Sequence, residues 1–151
     1  MSFAPEDYSL EVVLDAMAAA IDGVYPDLVV TAAGVPDCAM AALVRPTSSD
    51  EPDPRNDCVR VVRGVVGLYA FLSQCTIEEA QRHIYRMTSG CGPSSILARL
   101  RERPLTALQA AGVSLRSVGP ATGYGLTQFQ TEGAPNTYHA SIAWEAIYQT
   151  C

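Results

Sequence analysis

Strict alternation marks the C-terminal stretch. Tyr138, Ala140, Ile142, Trp144, Ala146 and Tyr148 fall on one side of an extended chain, and His139, Ser141, Ala143, Glu145 and Gln149 on the other, with Ile147 the apolar exception. A period of two held from 138 to 148 predicts a long strand with one buried face, and its aromatic and β-branched content agrees. Such a strand exposes a row of unsatisfied backbone groups unless it is paired. It is therefore expected well inside a sheet or against a neighbouring subunit.

The N-terminal third changes period. Leu10, Val13, Leu14, Met17 and Ile21 recur at steps of three and four, which predicts an amphipathic helix with Ser9 as its cap, stopped by Gly23 and Pro26. Strands are expected over 27–33 and 38–45. From Pro46 to Asp57 the chain carries three prolines, four acids and Arg55, a composition suited to a loop projecting between two strands. The valine-rich run from Cys58 to Phe71 predicts a long strand or a bent pair, with Gly64 and Gly67 as places to kink or bulge. Long strands on either side of the acidic loop make a projecting hairpin.

Thr76-Ile77-Glu78-Glu79 has the form of a capping box and opens a helix to about Met87. Pro93, Ser94 and Ser95 start another, with Ile96, Leu97 and Leu100 inward and Arg99, Arg101 and Arg103 mostly outward. Leu105 to Ala111 adds two turns before Gly112. Strands are expected over Val113–Val118 and Leu126–Thr131, separated by a turn region at Gly119, Pro120 and Gly123, and a loop from Gly133 to Asn136 leads into the last strand. The order predicts one α+β domain over residues 1–151, a mostly antiparallel sheet with helices on one face and a long projecting hairpin.

Composition narrows the classes. A length of 151 residues suits one core, and 48% hydrophobic against 17% charged residues excludes wholesale disorder and suggests that partners cover part of the surface. The formal charge of −6 argues against a general nucleic-acid-binding surface, although arginines cluster in the middle third. No run approaches the roughly 18 apolar residues of a membrane span, and the N-terminus has no signal-peptide pattern. Five cysteines without a C-x-x-C pair point to free, buried thiols in a reducing compartment.

Candidate chemistry is sparse. His83 and His139 have no ligand pair at metal spacing, so no metal and no cofactor are expected. Cys91, between two glycines ahead of a helix, is where a thiolate could be stabilised, yet no base or oxyanion hole accompanies it. The glycines from Gly119 to Gly125 lack the lysine of a phosphate loop. Asp50, Glu51, Asp53 and Asp57 match no calcium-loop spacing. No active site emerges, and a non-enzymatic role is expected.

Taken together, the N-terminal helix, the strand pair around the acidic loop, the helix after Thr76 and the closing Phe129-Gln130-Thr131 and Tyr138-His139-Ala140-Ser141-Ile142-Ala143-Trp144 resemble the tail-terminator (tail-completion) proteins of long-tailed bacteriophages. The resemblance implies a virion protein, assembled in the host cytoplasm, that forms a homo-oligomeric ring, expected to be a hexamer. The ring caps the tail tube protein, arrests its polymerisation and meets a neck or head-completion protein, with a sheath as a further neighbour, while DNA slides through an acidic lumen without specific binding and no membrane is involved. It implies interface roles for Asp50, Glu51, Asp53 and Arg55 on the hairpin, Arg99 and Arg101 on the helical side, and Tyr138 and Tyr148 on the last strand, used for strand addition between neighbours. A head-completion or other neck-ring protein shares this pattern. A soluble α+β enzyme or small-ligand domain is the alternative of another class, marked by a pocket of converging polar groups.

Overall fold

The computed structural model describes residues 5–32, 39–47, 51–53, 56–102, 105–128 and 136–149, with side chains over 10–32, 39–47, 59–102, 105–127 and 137–148. The chain is α+β. Helix α1 (Pro5–Ile21) precedes strands β1 (Leu28–Thr31), β2 (Met40–Pro46), β3 (Glu51–Asp53) and β4 (Asn56–Phe71). Helices α2 (Ile77–Met87), α3 (Ile96–Arg101) and α4 (Thr106–Ala110) follow, and β5 (Val113–Gln128) and β6 (Asn136–Gln149) close the chain. One sheet has the order β1-β2-β4-β6-β5, with β3 pairing β4. Only β1 on β2 is parallel among the described pairs. Among the described residues no helix is long and apolar enough to cross a membrane.

The last strand lies inside the sheet, with β4 on one side and β5 on the other. Both of its backbone edges are thus used within one chain, and the expected strand addition through this element is overturned; among the described strands the outer ones are β1, β5 and the short β3. Its alternation translates directly into burial. Tyr138, Ala140, Ile142, Trp144 and Ala146 are buried, whereas Ala143 is exposed and His139, Ser141 and Glu145 are half-buried.

The helices cover that apolar face. Val13, Met17, Ile21, Ala80, Ile84, Met87, Ile96 and Leu100 join Val62, Val66, Leu68, Ile142 and Trp144 in one cluster. A small second cluster, Ala41, Leu43, Tyr69 and Phe71, lies on the opposite face of β2 and β4.

Three local expectations change. Helix α1 begins at Pro5, four residues before Ser9. Proline fits a first helical position because its missing N–H would lack an intrahelical partner anyway. Gly64 and Gly67 are not bulges, since β4 runs in unbroken register against both β2 and β6. They are close approaches: a Cβ on Gly64 would collide with the Arg45 carbonyl oxygen and the Trp144 indole, and one on Gly67 would come 2.8 Å from the Tyr69 ring.

The expected turn at Gly119–Gly123 is instead part of one 16-residue strand, β5, whose register against β6 shifts three times, at Leu115/Ser117, Val118/Ala121 and Thr122/Gly125. Turn residues become bulges here because the long, apolar β6 offers a continuous template. Glycines at φ 73° and 156° (Gly123 and Gly125) absorb the extra residues of the third shift, and Pro120, in the second, is tolerated on an edge strand, where a missing N–H breaks no inner ladder.

Strands β2 and β3 both pair antiparallel with β4, and the long projecting hairpin expected around Pro46–Asp57 is not established by these pairings. Its tip at 48–50 and 54–55 lies outside the described residues, and so does the expected length of its projection.

Candidate functional site

The face of the sheet turned away from the helices carries the polar half of β6. Because β6 pairs Tyr69 with His139, Gly67 with Ser141 and Arg63 with Glu145, side chains of β4 and β6 that point away from the helices meet across one ladder. His139 Nδ1 lies 3.2 Å from the Gly123 carbonyl oxygen, and Ser141 Oγ lies 3.0 Å from His139 Nε2. The carbonyl can only accept, so Nδ1 carries the proton and the Ser141 hydroxyl donates to Nε2. The third bulge of β5 is what turns Gly123 toward the ring.

Tyr69 flanks the imidazole, with ring centroids 5.0 Å apart, and Arg45 donates to the Tyr69 hydroxyl at 3.3 Å. Burial pushes the His139 pKa down, and the Arg45 charge adds to this, while the Gly123 carbonyl opposes both. The resting ring is the neutral base. Further along, Glu145 bridges Arg63 at 2.6 Å and Arg116 at 3.3 Å.

A serine, a neutral histidine and an orienting carbonyl are the first three parts of a nucleophilic site. The fourth, a pair of N–H donors aimed at a developing oxyanion, is not supplied by β6, whose backbone donors point into ladders on both sides. The arrangement is a polar relay on the sheet face turned away from the helices, beside the buried Tyr69.

A second feature lies at the rim, where the free β5 edge meets α2. Tyr85, Tyr124 and Leu126 are 50%, 43% and 57% exposed, although large apolar groups favour burial. The patch is built, not loose. Tyr124 donates to Thr88 Oγ1 at 2.7 Å, the Tyr85 and Tyr138 hydroxyls are 3.0 Å apart, and the Tyr85 and Tyr124 rings sit 5.8 Å apart. The Tyr85 hydroxyl, helped by burial, pushes the Tyr138 pKa up to about 12. Arg82 and Arg86 are exposed on the same side of α2 as Tyr85, at the helical spacing that places them on one face.

The remaining candidates separate. Tyr138 is 6% exposed beneath Tyr85, to whose hydroxyl it hydrogen-bonds, which takes it off the surface of this chain. Tyr148 is half-buried against the core. Arg101 is exposed and Arg99 pairs with Glu102 at 3.4 Å, both on α3. Glu51 and Asp53 sit on β3, opposite Val61 and Asn56, their side chains outside the described residues, as are Asp50 and Arg55. Among the described residues, Tyr138 and Tyr148 do not meet in one site, and the placement of the hairpin acids relative to Arg99 and Arg101 lies outside the described residues.

Cys91 is exposed, and the helix after it begins at Ile96 under a Ser95 cap, too far along for its N-terminus to hold a thiolate. Burial, with Glu79 adding to it, pushes the Cys75 thiol up. His83 hydrogen-bonds through Nδ1 with the Tyr25 hydroxyl at 2.5 Å, a contact from α2 to the turn after α1. No group of three or more His, Cys, Asp or Glu side chains converges among the described residues. Sequence reading missed the tyrosine patch because Tyr124 sat in a presumed turn. The His-x-Ser spacing on a strand did place His139 and Ser141 on one face. No protein-family model matches the chain, and no curated protein does.

Proposed function

We propose that the chain is an assembly subunit, a phage tail-terminator protein whose homo-oligomeric ring caps the tail tube and meets the neck. The observation that carries this reading is the rim patch. Tyr85, Tyr124 and Leu126, bordered by Arg82 and Arg86, have the composition of an interface centre rather than of free surface, since tyrosine and arginine are enriched at such centres. The element order carries the resemblance to tail terminators, and a chain of net charge −6 suits a passage through which DNA slides without sticking. With β6 enclosed, the contacts between subunits fall to helix faces, outer strands and the hairpin. Light scattering and negative-stain imaging of the purified protein, alone and with purified tail tubes, test it. Rings, or density capping tube ends with arrest of tube growth, are expected; monomers that leave the tubes growing overturn it.

The Ser141–His139–Gly123 relay favours a second reading, a serine hydrolase. Its test is a fluorophosphonate probe followed by intact mass measurement: a covalent adduct lost in Ser141→Ala supports this reading, and an unmodified wild-type protein rejects it.

A further inference from the structure

The helix layer carries two unpartnered surfaces of opposite charge. On α1, Glu11, Asp15 and Ala19 are exposed, and so is Asp22 just past its end, where the Asp22 N–H still bonds to the Ala18 carbonyl. Steps of four, four and three place these residues along one stripe, opposite the buried Val13, Met17 and Ala20. On α2, Arg82, Tyr85 and Arg86 occupy the side opposite the buried Ala80, Ile84 and Met87. Glu79 is tied to Thr76 in the first turn, and Glu78, four residues before Arg82, continues the same stripe one turn nearer the helix start, so the basic part of this face runs from Arg82 to Arg86. Among the described residues, none of the three α1 carboxylates and neither α2 arginine has an ion-pair partner.

We infer that the Arg82–Tyr85–Arg86 face of α2 docks on the Glu11–Asp15–Asp22 stripe of α1 in a second copy of this chain. Several observations commit the occupant. The exposed aromatic patch asks for cover, and its arginine border asks for an acidic surface. The chain's own α1 supplies one, three carboxylates long. Ala19 interrupts that stripe with a side chain small enough for the Tyr85 ring to lie across it, so an aromatic anchor meets a gap and two arginines meet carboxylates around it. Each copy carries both halves of the contact, which is what repeated association of identical subunits requires. The inference rests on the assembly reading above and specifies the contact through which copies associate.

Charge exchange tests it. Arg82→Glu with Arg86→Glu leaves two acidic surfaces on one chain; Glu11→Lys, Asp15→Lys and Asp22→Lys together leave two basic ones. All five positions are exposed, so both variants should keep the wild-type circular dichroism and melting profile. The expected result is loss of the oligomer in either variant alone, by light scattering and native mass spectrometry, and its return in an equimolar mixture with the two chains alternating. Tyr85→Ala should raise the concentration needed for assembly by on the order of tenfold or more. A wild-type oligomer that both variants still form overturns the contact and leaves the assembly reading standing. Variants that self-assemble yet fail to cap tubes assign the patch to another acidic protein, which also overturns it. A wild-type chain that stays monomeric with and without tubes removes both.

Discussion

Strand β6 has two neighbours that treat it differently. Along β4 every residue from Val59 to Phe71 finds its opposite without a break, whereas along β5 the register slips three times over a similar length. The β4 side is clamped by the core, because both strands send alternate residues under the helices and a one-residue slip would turn them all outward. The β5 side has one free flank and glycines that tolerate extra residues. Regularity therefore follows packing, and the departures from it gather where the chemistry is, since the bulges aim Gly123 at His139 and set Tyr124 against α2.

The largest effect should come from breaking the regular side. Gly64→Ala places a methyl group between the Arg45 carbonyl and the Trp144 indole, neither of which can move without disturbing the β2–β4 ladder or the core. Overpacking of this kind costs about 3 kcal/mol, measured as a fall in the urea midpoint. Adding Trp144→Leu should recover part of that loss, because the indole is half of the obstruction; a double variant less stable than additivity predicts would argue against the close approach as the reason for the glycine.

On the irregular side the same kind of substitution tests conformation rather than space. Gly123 has φ 73°, and a Cβ there would meet His139 only at an ordinary 3.7 Å. Gly123→Ala should cost about 1–2 kcal/mol through backbone strain alone. Gly119→Ala, in the same strand without positive φ and with its nearest contact at 3.6 Å, should be close to neutral. Equal losses at the two positions would show that β5 depends on bulk, not on backbone freedom.

These contrasts bear on what could be read before the structure. The inner and outer faces of β6 were legible because alternation is a local property that the regular β4 side leaves undisturbed. So was the Thr76–Glu79 cap, in which the Thr76 hydroxyl accepts the Glu79 N–H at 3.2 Å and donates to the Glu79 carboxylate. The strand β5 was not, because glycine and proline at 119–125 carry the same local signal whether the chain reverses or only bulges, and the difference lies in the partner strand. Gly64 and Gly67 were misread for the opposite reason: a glycine in a strand marks either a bulge or a close approach, and only Trp144 and Tyr69 decide which. The tyrosine patch needed three elements to meet, and no local pattern announces that.

The polar relay makes the comparison sensitive to pH. The His139 pKa is lowered in the folded chain, so over the window below the usual histidine value the unfolded chain binds the proton more readily than the folded one. Stability from this group is complete above that usual value and is lost as pH falls from it toward the depressed folded value. His139→Gln should flatten that part of the stability-against-pH curve from urea unfolding, leaving carboxylate titration at lower pH in place. An unchanged slope would mean that His139 meets the same environment folded and unfolded.

The smallest effect is expected at Arg116, the residue left over at the first bulge, whose guanidinium reaches Glu145 at 3.3 Å. If the bulge existed to place this charge, removing it should loosen β5; if the bulge is a consequence of template length, removal should cost only an exposed ion pair. The second outcome is favoured. The Arg116 side chain is 53% exposed, and Glu145 keeps Arg63 at 2.6 Å on its other oxygen. Half-exposed pairs of this kind contribute between about 0 and 1 kcal/mol and are screened by salt. Arg116→Ala should therefore lower stability by no more than about 0.5 kcal/mol at low ionic strength and by nothing measurable in high salt. A loss above 1 kcal/mol that persists in salt would place Arg116 among the causes of the bulge, because strain and packing, unlike a surface charge pair, are not screened.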